Sequence, residues 1–231
     1  MLCLTTIKLN KIKSRGFPAG IIRREFNGKH LNTTGSYMVH MVQKKDNVIE
    51  RNLELEIILA LIKSNMHLRE IARTISKPHS SVLRKINKLL KENVLDYKKE
   101  GKNKVFFIKN NLNAKTYVYS AEIYKLNKVL NKYPKLSIIL EDIKRNVPKG
   151  IIMLFGSYAK ENTKRESDID IYIETDDNKI KKKVEELNSK ISVKIGGFDI
   201  NSLLIKEIIK NHVIIRGVEG FYERNKFFEQ T

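Results

Sequence analysis

The strongest constraint on the fold lies in two short segments, 150–155 and 167–173, which only eleven residues separate. The first, GIIMLF, is continuously apolar and ends in a Gly-Ser pair, and the second, SDIDIYI, alternates between polar or amphipathic and apolar positions. A short apolar run is typical of a buried strand, whereas alternation with a period of two is typical of a strand with one polar face. We therefore predict two strands of a small sheet, joined by a short helix that begins near Tyr158.

Gly156 and Ser157, at the end of the first predicted strand, have the properties of a phosphate-binding turn. Glycine lets the backbone approach a phosphate closely, and the N-terminus of the following helix offers free N–H groups to an anion. The Ser157 hydroxyl can add a hydrogen bond to a phosphate oxygen. A Gly-Ser pair after a strand is common, so the turn alone does not specify a function.

Two aspartates in the second predicted strand sharpen this interpretation. Residues two apart on a strand point to the same face, so Asp168 and Asp170 are predicted to lie side by side. Two carboxylates this close repel each other unless a cation lies between them. Magnesium prefers oxygen ligands, and two such ions can hold both the attacking and the leaving oxygen of a phosphoryl displacement. The pair therefore predicts a site for two Mg²⁺ ions.

A third carboxylate would complete such a metal site, and Asp199 is the candidate. Residues 191–195 are strand-like, and 198–200 are predicted to continue that strand towards the aspartate pair. Asp199 would then bind metal and deprotonate the attacking hydroxyl. In the alternative interpretation, Asp199 or Asn201 caps the N-terminus of a helix over 202–211.

Other residues near these motifs are weaker candidates for the same site. Glycines at 196–197 are poor strand material, so Glu174 or Asp176 would replace Asp199 if no bulge aims it at the metals. Lys160 and Arg165 flank the two motifs and could contact the triphosphate of a nucleotide. The alternative for both cations is a solvated surface charge.

The spacing of the motifs resembles a known protein family. Ten residues separate Ser157 from Asp168, which gives the pattern Gly-Ser-(ten residues)-Asp-x-Asp on strand, helix and strand. This pattern resembles the signature of the DNA polymerase beta-like nucleotidyltransferase superfamily. Within it, the chain is most similar to the minimal nucleotidyltransferases of the MntA antitoxin type, over about residues 135–225.

The resemblance implies a fold, a reaction and a partner. It implies a small mixed sheet with packed helices, ATP and magnesium as cosubstrates, and transfer of AMP to a hydroxyl. The acceptor would be a tyrosine of a HEPN-type toxin, so that the protein acts as an antitoxin. In this family the Gly-Ser pair, here Gly156-Ser157, holds the triphosphate. The strand aspartates, here Asp168 and Asp170, bind metal, and the third aspartate falls on Asp199.

The residues before position 110 have a different pattern. We predict helices over 47–65, 67–75 and 79–93, followed by strands over 95–100 and 104–109 with a tight turn between them. Three helices followed by a hairpin resemble a winged helix-turn-helix. Its DNA-binding residues would be Ser80, Ser81, Arg84, Lys85 and Lys88 on the third helix, and Lys98, Lys99, Lys102 and Lys104 on the hairpin. The alternative is a solvated basic face on a protein–protein module. Winged helices frequently bind DNA as dimers, so a homodimer is also possible.

The charge distribution supports two modules. The formal net charge is +19, and residues 150–231 carry 14 basic and 14 acidic groups, so all of the excess lies before residue 150. This asymmetry favours polyanion binding by the first module. An AT-rich genome, which fills exposed positions with Lys, Ile and Asn, would explain the charge without any polyanion.

The remaining sequence predicts location and boundaries. Residues 1–46 lack a persistent period and are predicted to be poorly ordered or a mis-assigned extension, with Met38 or Met41 as alternatives to Met1 as the start. No apolar run is long enough for a membrane span, no signal peptide is visible, and the single Cys3 excludes an intramolecular disulfide. These features predict a cytoplasmic protein.

The sequence thus predicts an α/β (α+β) chain, with a winged helix-turn-helix over 47–110, a connecting helix over 111–134 and a nucleotidyltransferase domain over 135–231. The first functional hypothesis is a magnesium-dependent AMP transferase that acts as an antitoxin. The second is a DNA-binding transcriptional regulator whose nucleotidyltransferase domain only binds nucleotide. A third, an enzyme acting on RNA or a small molecule, is disfavoured by the short C-terminal domain. Because Asp168 and Asp170 are both present, the first hypothesis is favoured.

Overall fold

The computed structural model describes residues 52–164 and 166–229, which belong to one compact unit. The predicted extension over 1–46, the alternative start sites and Arg165 lie outside these residues. None of the helices within the described ranges has the length and hydropathy of a membrane-spanning segment.

The N-terminal module is a winged helix-turn-helix, as the sequence predicts. In chain order its elements are α1 (Leu53–Lys63), β1 (Met66–His67), α2 (Leu68–Thr74), α3 (His79–Lys91), β2 (Leu95–Glu100) and β3 (Asn103–Ile108). The three strands form an antiparallel sheet in the order β1-β3-β2. Gly101 and Lys102 form the two-residue turn of the wing, where Gly101 adopts a φ of 60° that favours glycine.

Two consecutive helices, α4 (Leu112–Lys132) and α5 (Pro134–Asn146), follow the wing. The Asn111 side chain caps α4 by accepting a hydrogen bond of 2.9 Å from the Ala114 N–H group. Pro134 occupies the first turn of α5, where its missing N–H is tolerated. A connecting helix is predicted over 111–134, where α4 lies, but α4 is more than a connector because it packs against both α1 and the C-terminal sheet.

The C-terminal module is built on a four-stranded mixed sheet. Its elements are β4 (Ile152–Phe155), α6 (Gly156–Ala159), β5 (Ile169–Glu174), α7 (Asn178–Glu185), β6 (Ile191–Gly196), α8 (Leu203–Lys210), β7 (Val213–Arg216) and α9 (Val218–Arg224), with a short 3₁₀ turn over Phe227–Glu229. The strand order is β6-β5-β4-β7, in which β5 and β6 are parallel and the other pairs antiparallel.

One predicted strand segment is wrong. Residues 198–200 do not continue β6, which ends at Gly196 with a φ of 150°. The Gly196 carbonyl accepts a hydrogen bond of 2.8 Å from the Tyr172 hydroxyl, so it is engaged by a side chain at the strand end. The two consecutive glycines therefore turn the chain away from the sheet before it reaches Asp199.

Two hydrophobic cores lie on opposite faces of this sheet. The larger core is continuous from the winged helix, with Ile57 and Ile86, through Val118 of α4 to Met153 and Phe221 of the C-terminal module. The smaller core packs the other sheet face against α5 and α7. Because the larger core includes side chains from both modules, we infer that they fold cooperatively.

Truncation of Ile214 tests this shared core. Ile214 is 1% exposed and belongs to the larger core, whereas Ile138 of α5 is 70% exposed. We expect Ile214→Ala to lower the unfolding free energy by about 2–5 kcal/mol, because it leaves a cavity in the core. Ile138→Ala, the same truncation on the surface, should change it by less than about 0.5 kcal/mol.

Urea unfolding followed by circular dichroism gives the energies, and amide hydrogen exchange shows where protection is lost. We expect Ile214→Ala to reduce protection in α1 and α3 as well as in the C-terminal sheet. Reduced protection confined to the C-terminal sheet would contradict a shared core.

Candidate active site

The centre of the candidate site is the close approach of Gly156 to Asp170. Phe155, at the end of β4, pairs with Asp170 of β5, so the turn after β4 lies beside the aspartate. Gly156 has a φ of 67°, and a Cβ atom at this position would lie 2.0 Å from Asp170 Oδ2. No residue other than glycine fits there without displacing the carboxylate, so the Gly-Ser motif and the aspartate motif meet as one site.

The two aspartates differ in environment. Asp168 is exposed just before β5, whereas Asp170 is half-buried in the strand. Burial, and then the negative charge of Asp168, raise the pKa of the Asp170 carboxyl above its ordinary value, while the charge of Lys194 lowers it in part. The ionised pair is therefore disfavoured when no cation is bound, which is the electrostatic property of a cation site.

The donor chemistry of this pair fits Mg²⁺. Both side chains offer hard carboxylate oxygens, and Mg²⁺ is usually bound by one or two carboxylates with water and substrate phosphates as its other ligands. The Asp170 carboxylate fills the space that a side chain at position 156 would need, so the Gly-Ser turn lies directly against one of these carboxylates. Asp168 and Asp170 are therefore the residues that would hold the ion.

Ser157 and Lys160 follow the glycine in and after α6. The Ser157 hydroxyl has no hydrogen-bond partner within the described part of the chain, so it is available to a ligand. The Lys160 ammonium lies 3.3 Å from Glu207 Oε1 of α8. The predicted contact of Lys160 with a triphosphate stays a prediction, and it requires exchange of Glu207 for a phosphate.

Asp199 does not join the aspartate pair in this structure. It lies exposed in the loop after β6, where its Oδ1 accepts a hydrogen bond of 2.9 Å from the Asn201 N–H group. Among residues 52–164 and 166–229, no cluster of three His, Cys, Asp or Glu side chains could hold a metal ion. The alternative in which Asp199 or Asn201 caps α8 is wrong, because Ser202 is the N-cap residue.

The two fallback carboxylates lie elsewhere. Glu174 ends β5, accepts a hydrogen bond of 3.1 Å from the Ile151 N–H group and forms an ion pair with Arg224. Asp176 is exposed in the following loop. Neither is brought to the aspartate pair, so Asp168 and Asp170 carry the site in this structure.

Ser192 and Lys194 of β6 lie on the sheet face that carries Asp170, where no carboxylate of the neighbouring strand is found. The parallel register pairs Asp170 with Ser192 and Tyr172 with Lys194. Paired residues of neighbouring strands share a sheet face, so both side chains lie on the face of the aspartates. The alternation within 191–195 indicates that Ser192 and Lys194 share a face, but the register that brings them to Asp170 is not visible in the sequence.

The predicted DNA-binding residues on α3 fall into two groups. Ser80, Arg84 and Lys88 are exposed, whereas Ser81 and Lys85 are half-buried. Lys85 and Lys88 lie 2.8 and 2.9 Å from the carboxylate of Glu54, which is only 7% exposed. Their charges are therefore partly neutralised by the protein itself.

Sequence reasoning missed two exposed polar residues on the same helix. Asn87 and Lys91 are exposed and follow Arg84 at helical spacing, so the three share one face of α3. All four predicted lysines of the wing are exposed: Lys98, Lys99, Lys102 and Lys104. The exposed positively charged surface of the module therefore includes this face and the wing.

The family comparison agrees with the geometry of the aspartate site. Residues 124–226 match the protein family described as Polymerase beta, Nucleotidyltransferase. The matched range begins within α4 and includes both Gly156-Ser157 and the aspartate pair. This part of the chain is therefore similar to nucleotidyltransferase domains of the polymerase beta type. A comparison with curated proteins found no match.

Solved structures give more distant similarities. The adhesin competence repressor AdcR from Streptococcus pyogenes aligns at 18% identity and a TM-score of 0.34, over 44% of this chain and 75% of that one. The homodimeric winged helix-turn-helix DNA-binding domain Mb0332 from Mycobacterium bovis, a possible ArsR-family transcriptional regulator, aligns at 14% identity and a TM-score of 0.26, over 45% and 91%. A crystal structure described as a toxin-antitoxin with AMP-PNP aligns at 22% identity and a TM-score of 0.29, over 46% and 81%. With TM-scores below 0.5, these alignments leave the function to be argued from the site.

The raised pKa of Asp170 predicts that its ionised carboxylate destabilises the folded protein. Above its folded-state pKa the folded protein must hold an ionised carboxylate in an unfavourable position, so wild-type stability falls as pH rises through that value. We expect Asp170→Asn to raise the melting temperature in metal-free buffer at neutral pH. The gain should disappear below the ordinary pKa of 3.8, where the carboxyl is protonated in both folded and unfolded states.

Thermal melts across pH in the presence of a chelator measure this difference, with Asp176→Asn as the matched control at an exposed carboxylate. If Asp170→Asn is no more stable than wild type at neutral pH, burial and the charge of Asp168 do not destabilise the ionised Asp170 carboxylate.

Proposed function

We propose that the protein is a magnesium-dependent enzyme that transfers AMP from ATP to a hydroxyl, the tyrosine hydroxyl of a HEPN-type toxin, and that it acts as an antitoxin. The observation that carries the proposal is the half-buried Asp170 carboxylate, which lies two residues from Asp168 and packs on Gly156 of the Gly-Ser turn. The nucleotide, the acceptor and the partner are proposed from the resemblance of the Gly-Ser-(ten residues)-Asp-x-Asp pattern.

The chain supplies binding and charge placement to this reaction. Backbone groups at Gly156 and the Ser157 hydroxyl would hold the triphosphate, because the turn lies against the Asp170 carboxylate that would bind the metal. Asp168 and Asp170 would bind Mg²⁺, which when bound offsets the negative charge of the phosphates and of the attacking oxygen. The sheet fixes Asp170 through its pairing with Phe155, so the two halves of the site keep one geometry.

The bonds of the reaction are defined by the substrates. The acceptor oxygen forms a bond to the α-phosphorus, and the bond from that phosphorus to the oxygen bridging the α and β positions breaks. Pyrophosphate leaves with the electron pair. The hydroxyl proton would leave to solvent water, because Asp199, the base predicted from the sequence, lies apart from the aspartate pair in this structure.

Label transfer from ATP to a candidate toxin tests the proposal. The full chain is incubated with magnesium, α-labelled ATP and a folded HEPN-type protein encoded beside it. We expect the wild-type chain to transfer the label to this partner. The transfer rate of Asp170→Asn should be roughly a thousandfold lower, because about 4 kcal/mol of transition-state stabilisation disappears with the carboxylate. Asp176→Asn is the control for the loss of one negative charge. Absence of transfer by the wild-type chain would contradict the proposal.

Asp199→Asn in the same assay decides the role of the third aspartate. An asparagine oxygen can still accept the hydrogen bond from the Asn201 N–H group, but the side chain is a poor magnesium ligand and no base. Because Asp199 lies apart from the pair in the structure, this variant is expected to keep transfer within about twofold of wild type. A loss like that of Asp170→Asn would establish Asp199 as a ligand that joins when substrate binds.

The winged helix supports DNA binding as a second function of the chain. The observation that favours it is the exposed face of α3 with Arg84, Asn87 and Lys91, beside a wing of exposed lysines. Arginine and asparagine side chains can read guanine and adenine edges in the major groove, and wing lysines suit phosphates. A DNA-bound regulator that also transfers AMP would combine the two hypotheses raised by the sequence.

Salt-dependent binding to a mixed-sequence DNA duplex tests this second function. We expect Lys99→Ala to weaken binding and to reduce the slope of log K against log salt by about one, because one phosphate contact is lost. Lys85→Ala should have a smaller effect, since Glu54 already holds that ammonium at 2.8 Å. Lys182→Ala, on α7 of the other module, is the matched control. Equal effects of Lys99→Ala and Lys182→Ala would indicate that net charge alone, rather than the wing, binds DNA.

A further inference from the structure

A lysine on the neighbouring strand β6 shares the sheet face of Asp170. Lys194 of β6 follows Ser192, the register partner of Asp170, by two residues and therefore shares its sheet face. In addition, the positive charge of Lys194 partly offsets the rise in the pKa of the Asp170 carboxyl. The edge of the sheet thus combines two carboxylates with one cation.

Lys194 differs from the other cations around this site. Lys160 pairs with Glu207, and Lys190, two residues from Ser192, lies 3.5 Å from Glu166. The Lys194 side chain is exposed. Its ammonium forms no hydrogen bond or ion pair with any residue in 52–164 or 166–229. Within the described residues its ammonium is therefore not held by an ion pair, and it lies on the sheet face that carries Asp170.

We propose that Lys194 binds the phosphate chain of the nucleotide and so acts as a positioning residue. The inference rests on the proposed function, because it assumes a triphosphate in the site that Gly156 and Asp170 form. An ammonium is a compact point charge that suits phosphate oxygens. Lys194 would supply positive charge to the phosphates from β6. The metal bound by Asp168 and Asp170, at and just before the start of β5, would contact the same phosphates.

The same lysine opposes metal binding when the nucleotide is absent. A positive charge near the two carboxylates repels a divalent cation and competes for their charge. When the triphosphate is present, its negative charges lie between the ammonium and the metal, and both cations are then stabilised. Lys194 therefore favours entry of metal together with nucleotide over binding of the metal alone.

Replacement of Lys194 should therefore change the affinity for nucleotide and the affinity for metal alone in opposite directions. For Lys194→Ala we expect the affinity for a methylene-bridged ATP analogue with Mg²⁺ to fall roughly tenfold or more, because a charged hydrogen bond is lost. The affinity for Mn²⁺ alone should rise by a few fold, because the repulsion is removed. A structural role of the lysine would not strengthen metal binding while it weakens nucleotide binding.

Calorimetry with the full-length protein measures the analogue, and electron paramagnetic resonance measures Mn²⁺. Lys194→Arg, which keeps the charge, should retain most of the nucleotide affinity. Lys182→Ala removes a lysine from α7, which packs on the other sheet face, and should change neither value.

The outcomes separate this inference from the function on which it rests. Unchanged analogue affinity in Lys194→Ala, with a wild-type chain that binds the analogue and transfers AMP, would overturn the inference and leave the proposed function intact. Weaker binding of both analogue and Mn²⁺ would overturn it as well, because it would indicate a damaged site. A wild-type chain that binds no analogue would overturn both.

Discussion

The close contact between Asp170 and Gly156 is the constraint on which the site depends. A glycine with a φ of 67° lets the turn after β4 pass the carboxylate where any Cβ would clash. Antiparallel pairing of β4 with β5 holds both partners in place. The same packing half-buries the carboxylate and raises its pKa. The ionised form is therefore unfavourable in the folded chain, and a bound cation would stabilise it. The position and the electrostatics of this carboxylate therefore have one structural cause.

Helix α4 explains why the winged helix and the C-terminal module form one unit. Its 21 residues carry buried side chains that enter the core shared by both modules. Glu122, 1% exposed, accepts a hydrogen bond of 2.8 Å from the Tyr222 hydroxyl and so joins α4 to α9. At the end of the helix, Lys132 donates a hydrogen bond of 2.7 Å to the Glu161 carbonyl, in the loop between the Gly-Ser turn and the aspartates. One helix thus contacts the winged helix and braces the active-site loop.

Much of this architecture could be predicted from local patterns, because periodicity and turn residues are local properties of the sequence. The winged helix, the strand before Gly156 and the placement of Asp168 and Asp170 follow from such patterns. The position of Asp199 does not, because it depends on where Gly196 ends a strand. Contacts between distant segments could not be predicted either. One is the strand register that brings Lys194 towards Asp170, and another is the ion pair between Lys85 and the buried Glu54.

The most direct test of the central claim is a crystal structure of the full chain with Mn²⁺ and a methylene-bridged ATP analogue, with the metal located by its anomalous signal. The account predicts Mn²⁺ bound by oxygens of both Asp168 and Asp170, with the phosphate chain along the Gly156-Ser157 turn. Manganese at another site, or a nucleotide whose phosphates lie away from this turn, would contradict it.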